Sequence, residues 1–146
     1  MGTTYKYIFD EFKDTITDSD LLLFGDELQD EMLIAILRKA ISKCDRVVKK
    51  VIDLSDRDDV LMEFARDIPT DVLDILYEWM TVIWLKPYVN NLENLRNHMN
   101  TKDFTMYSPA NLLEKISDRY ENAKKYSRSL TNEFSFIHSD LENLKS

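Results

Sequence analysis

Only two glycines and three prolines interrupt this chain of 146 residues. Tight turns between short strands depend on residues of these kinds, because glycine accepts left-handed backbone angles and proline presets a turn. The chain has too few of them for a fold built from many strands, whereas long helices need almost none. The sequence therefore predicts an all-α fold. Its 44% apolar content is enough to fill one core, so we expect a single helical domain over residues 1-146.

Two amphipathic helices are predicted in the first third of the chain. Apolar residues recur at helical spacing in a short first segment, at Tyr5, Ile8, Phe9, Phe12 and Ile16. A second segment, residues 27–50, keeps apolar residues on one face, with acidic residues at its start and lysines at its end. That order of charges complements the helix dipole. Cys44 lies on the apolar face, which predicts a packed core thiol rather than a reactive one.

The next predicted helix, residues 72–84, is apolar on nearly every side and follows a stop and cap at residues 69–71. A helix without a polar face is surrounded by others, so we expect four or five helices packed around this one. The centre of the core is predicted at Leu76, Trp79, Met80 and Ile83. Pro87 lacks a backbone donor and clashes with the preceding turn, so we expect a kink or a break near residues 85–86.

A long C-terminal helix and a flexible tail are predicted for the last part of the chain. Ser108 as cap and Pro109 in the first helical position mark the start of the helix. Its apolar stripe weakens after about Asn132, so residues 133–146 are interpreted as a flexible tail. Residues 60–68 show no clean period, and we interpret them as loop or one turn of helix.

The formal charge of −8 argues against a surface that grips DNA or RNA, because such a surface neutralises phosphates with clustered lysine and arginine. An acidic shell does suit a protein that lies near nucleic acid without binding it. Cys44 is the only cysteine, which excludes an internal disulfide and a multi-cysteine metal site. The sequence shows neither a signal peptide nor an apolar run of roughly 20 residues. We expect synthesis in the cytoplasm and no insertion in a membrane.

The usual patterns of catalytic, cofactor and metal sites are missing from the sequence. Neither His98 nor His138 has a second ligand at metal-binding spacing, and two glycines cannot assemble a phosphate-binding loop. Residues 56–59 resemble the start of a calcium loop but lack its glycine and closing glutamate, so we interpret them as a solvated cap and turn. We therefore predict no enzymatic activity, no cofactor and no metal.

Protein binding is the function class that remains. Large apolar side chains lie near ends and loops, where such groups are typical of protein interfaces. The candidate interface residues are Leu22, Leu23, Phe24, Phe104, Tyr107, Phe134 and Phe136. Tyr5 has the same character. Two docking segments are predicted: the apolar loop at residues 21–24, and residues 134–138, whose alternation is typical of a strand added to a partner's sheet.

Three stretches resemble a family of small proteins encoded in the structural gene clusters of tailed bacteriophages. They are Leu54-Ser55-Asp56-Arg57-Asp58, Trp84-Leu85-Lys86-Pro87 and the run from Lys102 to Leu112, KDFTMYSPANL. Together they cover the chain from about residue 28 to residue 134. The resemblance implies a head-tail connector: an adaptor or head-completion protein in the virion neck that forms a ring of twelve copies beneath the portal. It also implies portal and tail or neck proteins as partners, with DNA passing nearby without specific binding.

A helical regulatory or inhibitory protein, encoded by a phage or its host, is the competing hypothesis. Such a protein would share the acidic charge and the missing catalytic patterns. Stoichiometry separates the two, because a ring subunit makes head-to-tail contacts that close on themselves, whereas a regulator is a monomer or a two-fold dimer.

Overall fold

A computed structural model describes residues 2–17, 28–90 and 109–145, and in this part of the chain four helices account for most of the residues. The elements in chain order are α1 (Tyr5–Thr17), α2 (Asp30–Val48), β1 (Arg57–Asp58), β2 (Glu63–Phe64), α3 (Thr70–Asn90) and α4 (Pro109–Lys145). The predicted all-α fold with a long C-terminal helix is confirmed. A two-stranded antiparallel hairpin between α2 and α3 is the one sheet among the described residues.

Helix α1 begins where the sequence predicted it. The hydroxyl of Thr4 accepts a hydrogen bond from the backbone N–H of Tyr7 at 3.1 Å, which caps the first turn. The predicted apolar stripe is confirmed, since all five of its members are buried: Tyr5, Ile8, Phe9, Phe12 and Ile16. Tyr5 is only 2% exposed, so its interpretation as an interface residue is wrong. Its place in the helical stripe puts the ring in the core.

Helix α2 is shorter than predicted, because it begins at Asp30 rather than residue 27 and ends at Val48. Acidic residues do occupy its first turn and Arg46 its last turn, as the dipole favours. The expected core position of Cys44 is confirmed, since the side chain is fully buried. Burial raises the pKa of its thiol to about 12, so the thiol stays protonated.

The interpretation of residues 60–68 as loop or a turn of helix is wrong at Glu63–Phe64, which form β2, while the other residues of the range form turns and irregular structure. Arg57 pairs with Phe64 and Asp58 with Glu63, and Thr4 makes a further antiparallel bridge to Glu63. Thr4, directly before α1, thus pairs with β2, and this contact joins distant parts of the chain. Local periodicity carries no signal of such a contact.

Helix α3 is the central helix, as predicted, and it packs against α1, α2 and α4. Leu76 and Met80 are fully buried, which confirms half of the predicted core centre. Trp79 and Ile83 are only partly buried, so their placement at the centre is wrong. They lie at the edge of a groove that the neighbouring helices leave open.

Pro87 lies inside α3 without breaking it, since the helix continues to Asn90. The proline is exposed and close to the helix end, where the missing N–H disturbs only the last turns. Residues 91–108, including Ser108 with its predicted capping role, lie outside the described residues.

Helix α4 starts at Pro109, which confirms proline in the first helical position. The helix runs to Lys145, so the predicted end of the helix near Asn132 and the strand-like segment at 134–138 are wrong over the described residues, while the flexibility of residues 133–146 stays a prediction. The reason is that Phe134 prolongs the buried stripe of Ala123 and Ser127 at helical spacing. None of the helices in the described part of the chain is both long and apolar enough to cross a membrane.

Candidate functional site

The main surface feature is a groove between α2, α3 and α4, with a cavity volume of about 550 Å³. Among the described residues, five cationic side chains line it and no acidic one does. The cations are Lys39, Lys43, Lys86, Lys124 and Arg128. The floor and the remaining wall come from Ser42, Trp79, Val82, Ile83, Pro87 and Tyr120. We call this surface the basic groove.

Helical spacing brings one stripe from each of the three helices to the groove. Lys39 and Lys43 are four residues apart on α2, and Lys124 and Arg128 have the same separation on α4. Helix α3 contributes residues 79, 82, 83, 86 and 87, which follow the i, i+3, i+4, i+7, i+8 pattern of one face. Each stripe is ordinary in its own helix. Only the packing of α3 against α2 and α4 gathers them.

The cations of the groove have few acidic partners among the residues that the structure describes. Lys124 lies over the ring of Tyr120, with 5.3 Å between its Nζ and the ring centroid, and 4.0 Å from the Glu121 carboxylate. Among the described residues, the other four cations form no ion pair. Like charges held this close in a chain of net charge −8 attract an anionic ligand.

The groove floor is rigid and partly apolar. Trp79 donates a hydrogen bond from its Nε1 to the hydroxyl of Thr131 at 3.1 Å, and that hydroxyl donates to the backbone carbonyl of Ser127 at 2.6 Å. Val82 and Tyr120 are buried beside it. An indole fixed in this way offers an apolar face without the entropy cost of ordering a flexible side chain.

The charged and apolar side chains of the groove are suited to binding an anionic ligand. The one serine in the lining, Ser42, donates its hydroxyl proton to the carbonyl oxygen of Lys39 in its own helix at 2.6 Å. The part of the lining that the structure describes includes no histidine, cysteine or carboxylate that could activate a nucleophile. Cations around an apolar floor recognise a ligand that carries both carboxylates and apolar groups, such as an acidic polypeptide segment.

A second cavity of about 280 Å³ lies between α1, α3 and α4. It contains Glu78, the one carboxylate among the described residues for which we find a raised pKa. Burial raises the pKa of Glu78, and Arg119, whose Nη1 is 3.7 Å from Glu78 Oε2, offsets part of the increase. Burial also raises the pKa of the neighbouring Tyr77 hydroxyl. Thr15, also in the lining, donates its hydroxyl to the backbone of α1.

The hairpin carries a different electrostatic arrangement, in which opposite charges meet. The Tyr5 hydroxyl donates to Asp59 Oδ1 at 2.6 Å, while Arg57 Nε lies 3.5 Å from that oxygen and Arg38 Nη2 lies 3.4 Å from Oδ2. The Tyr5 hydrogen bond, helped by the two arginines, lowers the pKa of Asp59. Burial, reinforced by Asp59, raises the pKa of Tyr5 to about 12. We call these four residues the Asp59 network.

The sequence-predicted interface residues are not brought together in the described structure. Phe134 is 4% exposed and its ring centroid lies 4.2 Å from that of His138, so its assignment as an interface residue is wrong because it belongs to the core stripe of α4. Phe136 is 67% exposed, on the outer surface of the same helix. The other five lie outside the described residues: Leu22, Leu23, Phe24, Phe104 and Tyr107.

The basic groove is not evident from the sequence. The basic residues of the last helix were visible, but each stripe had the appearance of an ordinary solvated helix face. The feature that distinguishes them is their convergence. No cluster of histidine, cysteine or carboxylate ligands with metal-binding geometry occurs in the described residues, and residues 56–59 form part of the hairpin.

Comparison with known proteins provides no relative for this chain: no protein family model, no characterised protein and no solved structure matches it.

Proposed function

We propose that this chain is a non-enzymatic structural subunit that binds acidic protein surfaces through its basic groove. The groove is the observation that carries the proposal, because it gathers five cations around an apolar floor in a chain of net charge −8. The resemblance of residues 54–58, 84–87 and 102–112 to phage neck proteins supports a more specific role. That role is a head-tail connector subunit in a ring at the head-to-tail junction of the virion.

Charge distribution supports the ring in particular. A subunit with one basic groove and an acidic surface elsewhere has two different patches that complement each other. Contacts between two different patches are head-to-tail, and they close into a ring when the rotation between neighbours divides a full turn. A two-fold dimer pairs the two patches reciprocally only when both lie on the same side of the subunit. The acidic outer surface suits a channel through which DNA passes without sticking.

The ring proposal is tested by mass and by copy number. Sedimentation and electron microscopy of the purified chain are expected to show closed rings or their open intermediates. Mass-spectrometric counting in purified particles of the encoding phage is expected to give about twelve copies. A chain absent from particles, and monomeric or a two-fold dimer in solution, would support the competing regulatory protein instead.

The role of the groove is tested by charge reversal. The double variant Lys39→Glu/Lys43→Glu is expected to lose assembly into rings or particles. The matched control, Lys13→Glu/Lys125→Glu, changes the net charge by the same amount on lysines outside the groove and is expected to assemble. If both variants assemble alike, the groove is not the interface. If the wild type binds DNA and the Lys39→Glu/Lys43→Glu variant does not, the groove is a nucleic-acid site.

A further inference from the structure

The turn of the hairpin exposes two adjacent apolar side chains. Val60 is 89% exposed and Leu61 is 66% exposed, the former more than any other large apolar residue of the described chain. Single exposed apolar residues are common, but an adjacent pair at the end of a projecting turn resembles the anchor of a protein contact. We call residues 58–63 the hairpin tip.

Acidic groups surround this apolar pair. Residues 56–67 carry five carboxylates and two arginines, a net charge of −3. Asp58 lies two residues before the pair and Glu63 follows it after one residue, whereas Asp59, directly before the pair, is already paired with Arg38 and Arg57. The tip therefore has the composition that the basic groove is suited to bind: apolar side chains framed by carboxylates.

The tip is held in one conformation. Asp58 Oδ1 accepts hydrogen bonds from the backbone N–H groups of Val60 and Leu61 at 2.8 and 3.0 Å, which closes the turn. Met62 adopts a φ of 57°, which non-glycine residues adopt uncommonly, and its carbonyl accepts a hydrogen bond from the Tyr5 N–H at 2.9 Å. A segment that is ordered before binding loses little entropy when it docks.

We propose that the hairpin tip of one copy docks in the basic groove of the next, with Val60 and Leu61 against the apolar floor. This inference rests on the proposed function and names the partner surface. No hairpin residue lines the groove of its own chain, so the contact joins two copies. Tip and groove are different patches, and each copy offers both, so the contact repeats from subunit to subunit as a ring requires.

The test pairs two variants that each destroy one patch. Val60→Lys/Leu61→Lys removes the apolar pair at exposed positions and reduces the local charge from −3 to −1, and Lys39→Glu/Lys43→Glu damages the groove. Sedimentation at low salt is expected to show at least a tenfold weaker self-association for each variant alone. An equimolar mixture is expected to form a 1:1 heterodimer that grows no further, because one intact tip meets one intact groove.

Met32→Lys/Val51→Lys is the matched control, since it changes two exposed apolar residues outside the tip and the groove by the same charge. It is expected to self-associate like the wild type. Circular dichroism of all variants checks that the helices remain folded.

Three outcomes would overturn the docking of the tip. If the tip variant associates normally while the groove variant does not, the groove keeps its proposed function and another acidic surface occupies it. If the mixture shows no heterodimer, tip and groove are not partners. If the wild type stays monomeric at every concentration, the contact between copies does not exist, whereas particle incorporation tests the connector role separately.

Discussion

Opposite charges are paired in the Asp59 network, whereas like charges are gathered in the basic groove. In the network, one carboxylate lies within reach of Arg38, Arg57 and the Tyr5 hydroxyl, and it ties the hairpin to α1 and α2. In the groove, five cations from three helices share one carboxylate neighbour among the described residues. Paired charges stabilise the local fold. Like charges gathered in one groove do not stabilise the fold, and they favour the binding of a ligand that carries the opposite charge.

The largest expected effect concerns the support of the hairpin. Phe64 is buried on β2 and packs against the Tyr5 ring, with 5.3 Å between the ring centroids. Phe64→Ala is expected to cost about 3–5 kcal/mol in the free energy of unfolding, because it leaves a cavity under the hairpin. Chemical denaturation measures this cost. A change below about 1 kcal/mol would show that the hairpin is not part of the cooperative fold.

The next effect concerns the network itself. Tyr5→Phe removes the hydroxyl that donates to Asp59, and about 1 kcal/mol of stability is expected to be lost at neutral pH. The pKa of Asp59 is lowered in the folded state, so the stabilisation is present above its ordinary value of 3.8 and is lost as the pH falls through the lowered value. Denaturation midpoints of variant and wild type should therefore converge in acid. A difference independent of pH would assign the effect to packing.

A smaller loss of stability, with a loss of binding, is expected at the groove floor. Trp79→Phe keeps an aromatic ring but removes the hydrogen bond to Thr131, which costs about 0.5–1.5 kcal/mol. Thr131→Val removes the same bond from the other side and should have a similar cost. The double variant measures the coupling between the two groups. Additive costs would show that the bond does not hold the indole in place.

The smallest effect on stability is expected for the groove cations. Lys39→Gln/Lys43→Gln should change the free energy of unfolding by no more than about 0.5 kcal/mol, and in the stabilising direction, because repulsion among the cations is reduced.

The contrasting variant is Arg57→Gln in the network. It removes a hydrogen bond from Arg57 Nη1 to the Leu54 carbonyl at 2.9 Å, and about 1 kcal/mol is expected to be lost. Thermal melts of both variants compare the two regions directly. If the lysine variant lost as much stability as the arginine variant, the groove would be a structural element and not a binding surface.

The helices could be predicted because their signals are local. The stripe of α1 is complete within thirteen residues, and α3 is identified by the lack of any polar face. The same method misplaced the end of α4. An apparent alternation at residues 134–138 is compatible with a strand, but Phe134 continues the helical stripe and is buried by the rest of the fold. The secondary structure of residues at the end of a periodic pattern depends on the tertiary contacts that bury them.

Composition and periodicity by themselves determined the helical class, the central helix, the buried thiol of Cys44 and the acidic balance of this chain. Tertiary structure alone decided the hairpin and the basic groove. The hairpin depends on the pairing of Thr4 with Glu63, and the groove on cations as distant in sequence as Lys39 and Arg128. The physical reason is the range of the interactions. Helix propensity and amphipathic stripes act over a few turns, whereas a shared electrostatic surface exists only after packing has placed separate helices side by side.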